Sequence, residues 1–277
     1  MEQPGPTSSN IERTIYQFPI SHFSEKARWC LDAKGLAYRV HNVVPGLHVL
    51  RVPRISGGAR TVPVLVDRGT PVGDSSAIAL YLEDTYPDPP LLPRDQGDRD
   101  RALSLEDFFD EGLGQSVKRW LYGELMEVGP GRAVRALFEA YPWPVRIAGK
   151  LMAPGIEKAM RAQEGIHPEG LERARVAILE AADRLEHETG GDPSRYLVGG
   201  ALTLADITAA SLFAPLVAPP ESPYARTPSD LPPSVEAMGR ALRDRPAGRW
   251  VMERYRLDRR RAGTSKSEAR KTSDRTW

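Results

Sequence analysis

Two stretches of the chain gather groups able to hold a small charged ligand. The first is Thr61–Glu83, TVPVLVDRGTPVGDSSAIALYLE. Within it, Asp74-Ser75 places a carboxylate and a hydroxyl just before an apolar run, where a helix start offers unpaired N–H groups. Upstream, Val62-Pro63 opens a strand, and a proline there leaves the backbone beside it free to pair with something other than protein. Together these groups make a cradle for an extended, peptide-like ligand with an ammonium and a carboxylate. The second stretch is Ser21-His22-Phe23-Ser24, two hydroxyls and an imidazole around a helix start that Ser21 can cap. Arg54 and Arg60 flank Gly57-Gly58 and suit carboxylate contacts, with surface solubility as the simpler reading.

Other chemistry is thinly represented. Glu106, Asp107, Asp110 and Glu111 fall at helical spacing, but no histidine lies near, so they read as a solvated acidic face and no metal is expected. No G-x-x-x-x-G-K-[ST], no G-x-G-x-x-G opening a helix and no H-E-x-x-H occurs. The single cysteine, Cys30, excludes an internal disulfide and falls on the apolar face of a helix, where it reads as a core residue.

The elements that position these groups follow from periodicity. Thr14–Phe18 predicts a strand, and Ser21 to about Lys34 a helix burying Phe23, Ala27, Cys30 and Leu31, ended by Gly35. Tyr38–Val44 predicts a second strand, parallel to the first through the helical crossover. The stretch from Pro45 to Gly58 is anchored by Leu47, Leu50 and Ile55. Val62–Asp67, the turn Arg68-Gly69-Thr70 and Pro71-Val72 predict a hairpin whose proline suits an edge. A helix then runs to about Asp84, with Ile78, Leu80, Tyr81 and Leu82 as its apolar residues. Beyond the proline-dense Pro87–Pro93 everything is helical in character. Asp98–Met126 predicts one long amphipathic helix, with Gly112 and Gly114 in its middle. Prolines 142, 144 and 154 break 130–166 into two short helices or a mobile flap. Pro168 introduces a helix over Glu169–His187, and Val235–Arg254 gives the last helical region.

With 277 residues, 40% of them hydrophobic, the chain can build one large or two ordinary domains. A formal net charge of +1 gives no global field for nucleic acid or an anionic membrane. No apolar run reaches the length of a membrane span, and the polar start lacks a signal-peptide core, so a cytoplasmic protein is expected.

The pattern V-P-V-L, a hairpin, then D-S-S-A-I-x-x-Y-L resembles the glutathione-binding half of the soluble, cytosolic-type glutathione S-transferases. Far along the chain, YLVGGALTLADITAA at Tyr196–Ala210 resembles the buried capping motif of that family's second domain, with Thr203 and Asp206 at capping-box spacing. The resemblance implies an α/β thioredoxin-like N-terminal domain over 13–86, a proline-rich linker over 87–97, an all-α helical domain over 98–257 and a disordered basic tail over 258–277. In that family the proline is cis, its neighbour's backbone pairs with the cysteinyl part of glutathione, and the acidic residue and serine hold the γ-glutamyl end. Carried over, Val62, Pro63, Asp74 and Ser75 bind glutathione as co-substrate, without metal.

The same resemblance places the reacting centre at Ser21-His22-Phe23-Ser24. Redox relatives carry C-x-x-C there. Both positions are serine in this chain, which excludes thiol–disulfide exchange by the protein at these positions. A hydroxyl at a helix N-terminus instead donates to a ligand thiolate, and the macrodipole adds to the effect. Serine-type transferases carry S-P-F near here, which points to Ser21, with Ser24 as the rival and His22 departing from the family's proline. Aligning Phe18-Pro19 with the tyrosine-using branch puts Gln17 at the tyrosine position and Tyr16 on the opposite face of the strand. His22, Phe108 and Trp120 are the expected second-substrate residues, with a no-role reading of His22 equally open. The implied function is conjugation of glutathione to a small hydrophobic electrophile, as in detoxification. A glutathione-dependent isomerase or ether-cleaving enzyme is a variant, and a non-catalytic ligand-binding or assembly protein the alternative. A homodimer is the implied assembly, without nucleic acid.

Overall fold

A four-stranded sheet organises the first part of the computed structural model, which describes residues 12–225 and 231–259. The strands are β1 (Arg13–Gln17), β2 (Arg39–Asn42), β3 (Val64–Asp67) and β4 (Thr70–Gly73), in the order β2-β1-β3-β4. β1 and β2 are parallel, with Ile15 opposite Val40, joined through helix α1 (His22–Ala33). β1 pairs antiparallel with β3, Ile15 opposite Leu65, and β3 antiparallel with β4. The hairpin closes through Arg68 and Gly69, both at positive φ, the twist that a two-residue turn requires. Pro71 lies on the edge strand, where its missing donor is tolerated. Helix α2 (His48–Ser56) precedes β3, and α3 (Ser75–Thr85) follows β4. This βαβαββα order is a thioredoxin-like domain.

Local chemistry explains most element ends. Ser21 caps α1 from an extended conformation, and Gly35 at φ 65° turns the chain away after it. The α2 region departs from expectation. Val52 is its fully buried residue, packed with Val43 and Val64, whereas Leu47 and Leu50 are exposed. In α3 the core face is Ile78, Ala79 and Leu82, and Leu80 points outward. Helix α1 is buried on nearly every side: Trp29, Cys30 and Leu31 are joined there by Glu25, Lys26 and Arg28, while Phe23 is only partly covered.

The described chain divides between Leu91 and Leu92, inside the proline-dense segment. The first unit also takes in Asp258 and Arg259, and the second is Leu92–Leu257. The second unit is all-helical: α4 (Gln96–Asp107), α5 (Gln115–Val128), α6 (Arg132–Phe138), α7 (Trp143–Glu164), α8 (Pro168–Thr189), α9 (Leu204–Val217), α10 (Pro233–Asp244) and α11 (Pro246–Arg254). Between α4 and α5 the backbone winds as a π-helix over Phe108–Gly114, so the expected single helix is continuous but locally widened around its two glycines. A second π segment, Tyr255–Arg259, follows α11.

Residues 130–166 form one short and one 22-residue helix, neither two short helices nor a flap. Pro142 and Pro144 sit at the start of α7, where a missing N–H costs little. Pro154 lies inside it at an exposed position, where water can take up the carbonyl released one turn earlier. Helix α9 is buried along its whole length and opens with the expected capping box. The basic tail expected from 258 lies outside the described residues from 260 onward. Among the described residues no helix is long and apolar enough to cross a membrane.

Candidate functional site

The residues around α3's start are drawn together by backbone geometry. The Val62–Pro63 peptide bond is cis, as the resemblance implies. The Pro63 carbonyl accepts the Asp74 N–H at 3.2 Å, which ties the strand entry to the helix start. Val62 lies just ahead of the ladder pairs of β3, which begin at Val64. Asp74 has φ 73° and ψ 141°, a region that costs a non-glycine residue roughly 1–3 kcal/mol. The fold holds it there through the Pro63 bond and through Oδ1, which accepts the Ser76 and Ala77 N–H groups at 2.9 and 3.1 Å. The capping thus occupies one carboxylate oxygen of Asp74.

Ser75, next in the chain, is 1% exposed, and its Oγ has no hydrogen-bond partner among the described residues. A buried hydroxyl without a partner costs about 1–3 kcal/mol. Lys26, fully buried on α1, donates to Ser76 Oγ at 2.8 Å and brings a cation to the same helix start. Sequence reading missed Lys26. Its one visible signal is a lysine in the middle of a helix otherwise rich in buried apolar groups. Arg54 and Arg60 are both exposed, and Arg54 donates to Leu50's carbonyl on its own helix at 2.6 Å.

At the start of α1, Ser21 and Ser24 have different surroundings. Ser21 is partly exposed, and its Oγ accepts the Ser24 N–H at 3.3 Å, a long cap bond that leaves the hydroxyl proton available to donate. Ser24 is fully buried, and its Oγ has no partner among the described residues. His22 is buried to 7% exposure, its ring 4.4 Å from that of Phe23. Cys30 is buried and in no disulfide among the described residues. Tyr16 packs with the Val43, Val52 and Val64 cluster and beside His41, while Gln17 faces the other way.

Gln17 belongs to a buried polar chain that braces α1. Its side chain donates to Asn42 at 3.1 Å and accepts from Arg28. Arg28 also pairs with Glu25 at 2.6 Å. Arg259 donates to Glu25 at 2.7 Å and pairs closely with Asp32. Burial alone would raise the Glu25 carboxyl, but the Arg259 and Arg28 guanidiniums outweigh it and hold it below the usual carboxylate range.

The residues expected to meet a second substrate belong to different units. His22 is in the first. Phe108 and Trp120 are in the second, where Phe108 is exposed with the Arg184 guanidinium over its ring and Trp120 is buried at 3% exposure. The acidic cluster is not wholly solvated: Glu106 is 2% exposed, whereas Asp107 and Glu111 face solvent. Among the described residues no group of histidine, cysteine and acidic side chains is arranged to hold a metal.

Part of the chain matches a known family model. Residues 15–90 match the model described as glutathione S-transferase, N-terminal domain. Glutathione S-transferase Z1 of Arabidopsis thaliana is 36% identical over 87 residues, 29% of this chain and 38% of that protein. FtsZ-localized protein A of Caulobacter vibrioides is 30% identical over 127 residues, 43% of this chain and 53% of that protein. The chain thus spans about half or less of the length of these relatives. Among solved structures, the beta-etherase LigF of Sphingobium sp. strain SYK-6 is 23% identical and superimposes with a TM-score of 0.57, covering 88% of this chain and 99% of that one. The transferase CsGST63524 of Ceriporiopsis subvermispora, solved with glutathione, is 17% identical with a TM-score of 0.59, covering 90% of this chain and 96% of that one. These two likenesses carry the fold: a thioredoxin-like domain followed by a helical one, the glutathione transferase architecture.

Proposed function

We propose that the chain binds glutathione on its first unit and activates the thiol for attack on a small hydrophobic electrophile, a reading supported by the match of residues 15–90 to the glutathione S-transferase N-terminal domain. The observation that carries this reading is the start of α3. A strained Asp74 with one carboxylate oxygen uncommitted to the cap stands beside a buried Ser75 hydroxyl lacking a protein partner among the described residues. Both make physical sense with a ligand in place. Asp74 meets the γ-glutamyl ammonium, Ser75 donates to its carboxylate, and the helix N-terminus adds its field. Backbone groups at Val62 and Pro63 pair with the cysteinyl residue, and the buried Lys26 supports the carboxylate end through Ser76.

Ser21 then faces the thiol. Its hydroxyl accepts one N–H and donates a hydrogen bond to the sulfur, favouring the thiolate. The thiolate attacks the electrophile, a carbon–sulfur bond forms, and the electron pair leaves with the displaced group or is protonated after addition. Isomerase and ether-cleaving chemistry, the latter suggested by the LigF likeness, start from the same thiolate. The match to an FtsZ-localized protein favours a second reading, in which the fold serves assembly and glutathione is not turned over. Retention on immobilised glutathione followed by a thiolate absorbance titration separates the two. Catalysis requires a bound thiol pKa well below that of free glutathione. Binding with an unshifted pKa removes catalysis and supports a ligand-holding role, and no retention removes glutathione binding and leaves the assembly reading.

A further inference from the structure

Helix α7 packs the wrong way round for an ordinary surface helix. The face turned inward carries small residues, Gly149 and Ala153, both buried. The ring of Phe138 on α6 presses so close that a Cβ at Gly149 would lie 2.5–2.8 Å from its atoms. The large apolar residues are on the opposite face. Trp143, Ile147 and Leu151 follow one another at four-residue spacing and are 71%, 51% and 79% exposed. A surface helix normally buries such a stripe, and a contiguous exposed one marks a contact surface.

The charges beside the stripe identify its partner. Arg146 and Lys150 flank it, both exposed, and neither has an ion-pair partner among the described residues. From Ala140 to Ile156 the sequence contains no aspartate or glutamate. The next acid, Glu157, is turned to the packed side, where it accepts the Gly131 N–H at 3.0 Å. An aromatic–aliphatic stripe with Arg146 and Lys150 beside it, and with exposed Glu139 just ahead of the helix, fits an anionic bilayer surface, whose headgroups meet the cations while the apolar side chains enter the acyl boundary. A second copy of the chain fits less well. Three or four side chains fall short of the about 800 Å² that each partner of a stable dimer contributes. A twofold interface on this face would also set Arg146 and Lys150 of both copies close together, with no acid between Ala140 and Ile156 to offset them.

We propose that the Trp143–Leu151 face of α7 is a peripheral docking surface for anionic membranes. The helix lies along the membrane plane and does not cross it. The surface is local, in keeping with a net charge near zero for the whole chain.

The test is co-sedimentation of the full chain with vesicles of phosphatidylcholine alone and of phosphatidylcholine mixed with phosphatidylserine. The chain should partition onto the mixed vesicles, less as salt rises, and hardly onto the neutral ones. Replacing both Arg146→Gln and Lys150→Gln should weaken partitioning roughly 25-fold, about fivefold per cation near an anionic surface. Replacing Trp143→Ser and Leu151→Ser should abolish it, with unchanged melting temperature because these side chains touch little. Binding that survives both pairs of substitutions would place the membrane-facing surface elsewhere on the chain and overturn the proposal. So would a chain that ignores anionic vesicles and instead forms a dimer dissolved by the Trp143→Ser, Leu151→Ser change.

Discussion

Replacing Ser21 and Ser24 in turn by alanine probes the thiol-activating group, and the two hydroxyls differ enough to give opposite results. Ser21 Oγ accepts only one N–H, at 3.3 Å, so Ser21→Ala should cost the fold little, about 0.5–1 kcal/mol for a weak cap. Its effect on chemistry is larger, because the hydroxyl donates to a charge that develops on sulfur. Loss of one such donor lowers turnover by on the order of 10²–10³. The α1 dipole and nearby N–H groups remain, so the bound thiol pKa should rise only part of the way to its free value. Ser24→Ala removes a fully buried hydroxyl with no partner among the described residues, so it should leave turnover unchanged and the fold equally stable or more so. The assay is conjugation of glutathione to an activated aryl halide, read beside a thiolate titration and a thermal melt of each variant. Loss of turnover in Ser24→Ala but not in Ser21→Ala would overturn the assignment of Ser21. If neither matters and Tyr16→Phe does, the serine-type assignment fails as a whole.

Other substitutions separate binding from stability. Asp74→Ala should weaken glutathione binding by about 1.5–3 kcal/mol, the scale of a hydrogen bond to a charged group, and calorimetry of the folded variant would read it. Asp74→Gly should lose the same affinity while relieving backbone strain of roughly 1–3 kcal/mol, so it should melt above the alanine variant. Arg259→Gln leaves Glu25 with Arg28 alone and takes a cation from Asp32. The folded Glu25 pKa lies below its unfolded value, so its stabilisation is present above the ordinary carboxylate range and is lost as pH falls through the folded pKa. The variant should therefore unfold at a higher pH on acid titration. Asp206 has the opposite sign: burial pushes its carboxyl up to about 6 from 3.8, despite three donors from Thr203 and Leu197. Folded stability should fall as pH rises between those values, by about 3 kcal/mol in all, and Asp206→Asn should flatten that slope in urea titrations at a series of pH values.

The features legible in the sequence are those set by local chemistry. Gly69 announces the hairpin because few residues accept its φ. Ser21, Asp74 and Thr203 announce helix starts because their side chains cap N–H groups two or three residues on. The parallel pairing of β1 and β2 follows from the helical crossover between them. What escaped depends on partners far along the chain. The burial of Glu25 and Arg28 rests partly on Arg259, 234 residues from Glu25, and that of Lys26 on Ser76, 50 residues away. A charged residue read alone is taken for surface. Leu47 and Leu50 look like anchors by type, but the register of α2 turns Val52 inward instead. Pro154 suggests a break, yet its exposed position lets water replace the missing bond and α7 runs on. At the candidate site the residue types at 62–63 and 74–75 were legible, while the strain at Asp74 and the open hydrogen-bonding capacity of Ser75 needed coordinates.

In the proposed function, α3's start recognises the γ-glutamyl end of glutathione. Calorimetric titration of the full chain with glutathione, beside cysteinylglycine, which lacks that end, tests it most directly. Glutathione should bind saturably, with the dipeptide weaker by a factor of ten or more, since each hydrogen bond that the dipeptide cannot make to Asp74 or Ser75 is worth about 1.5–3 kcal/mol. Equal affinity for the two, or no saturable heat with glutathione, would contradict it.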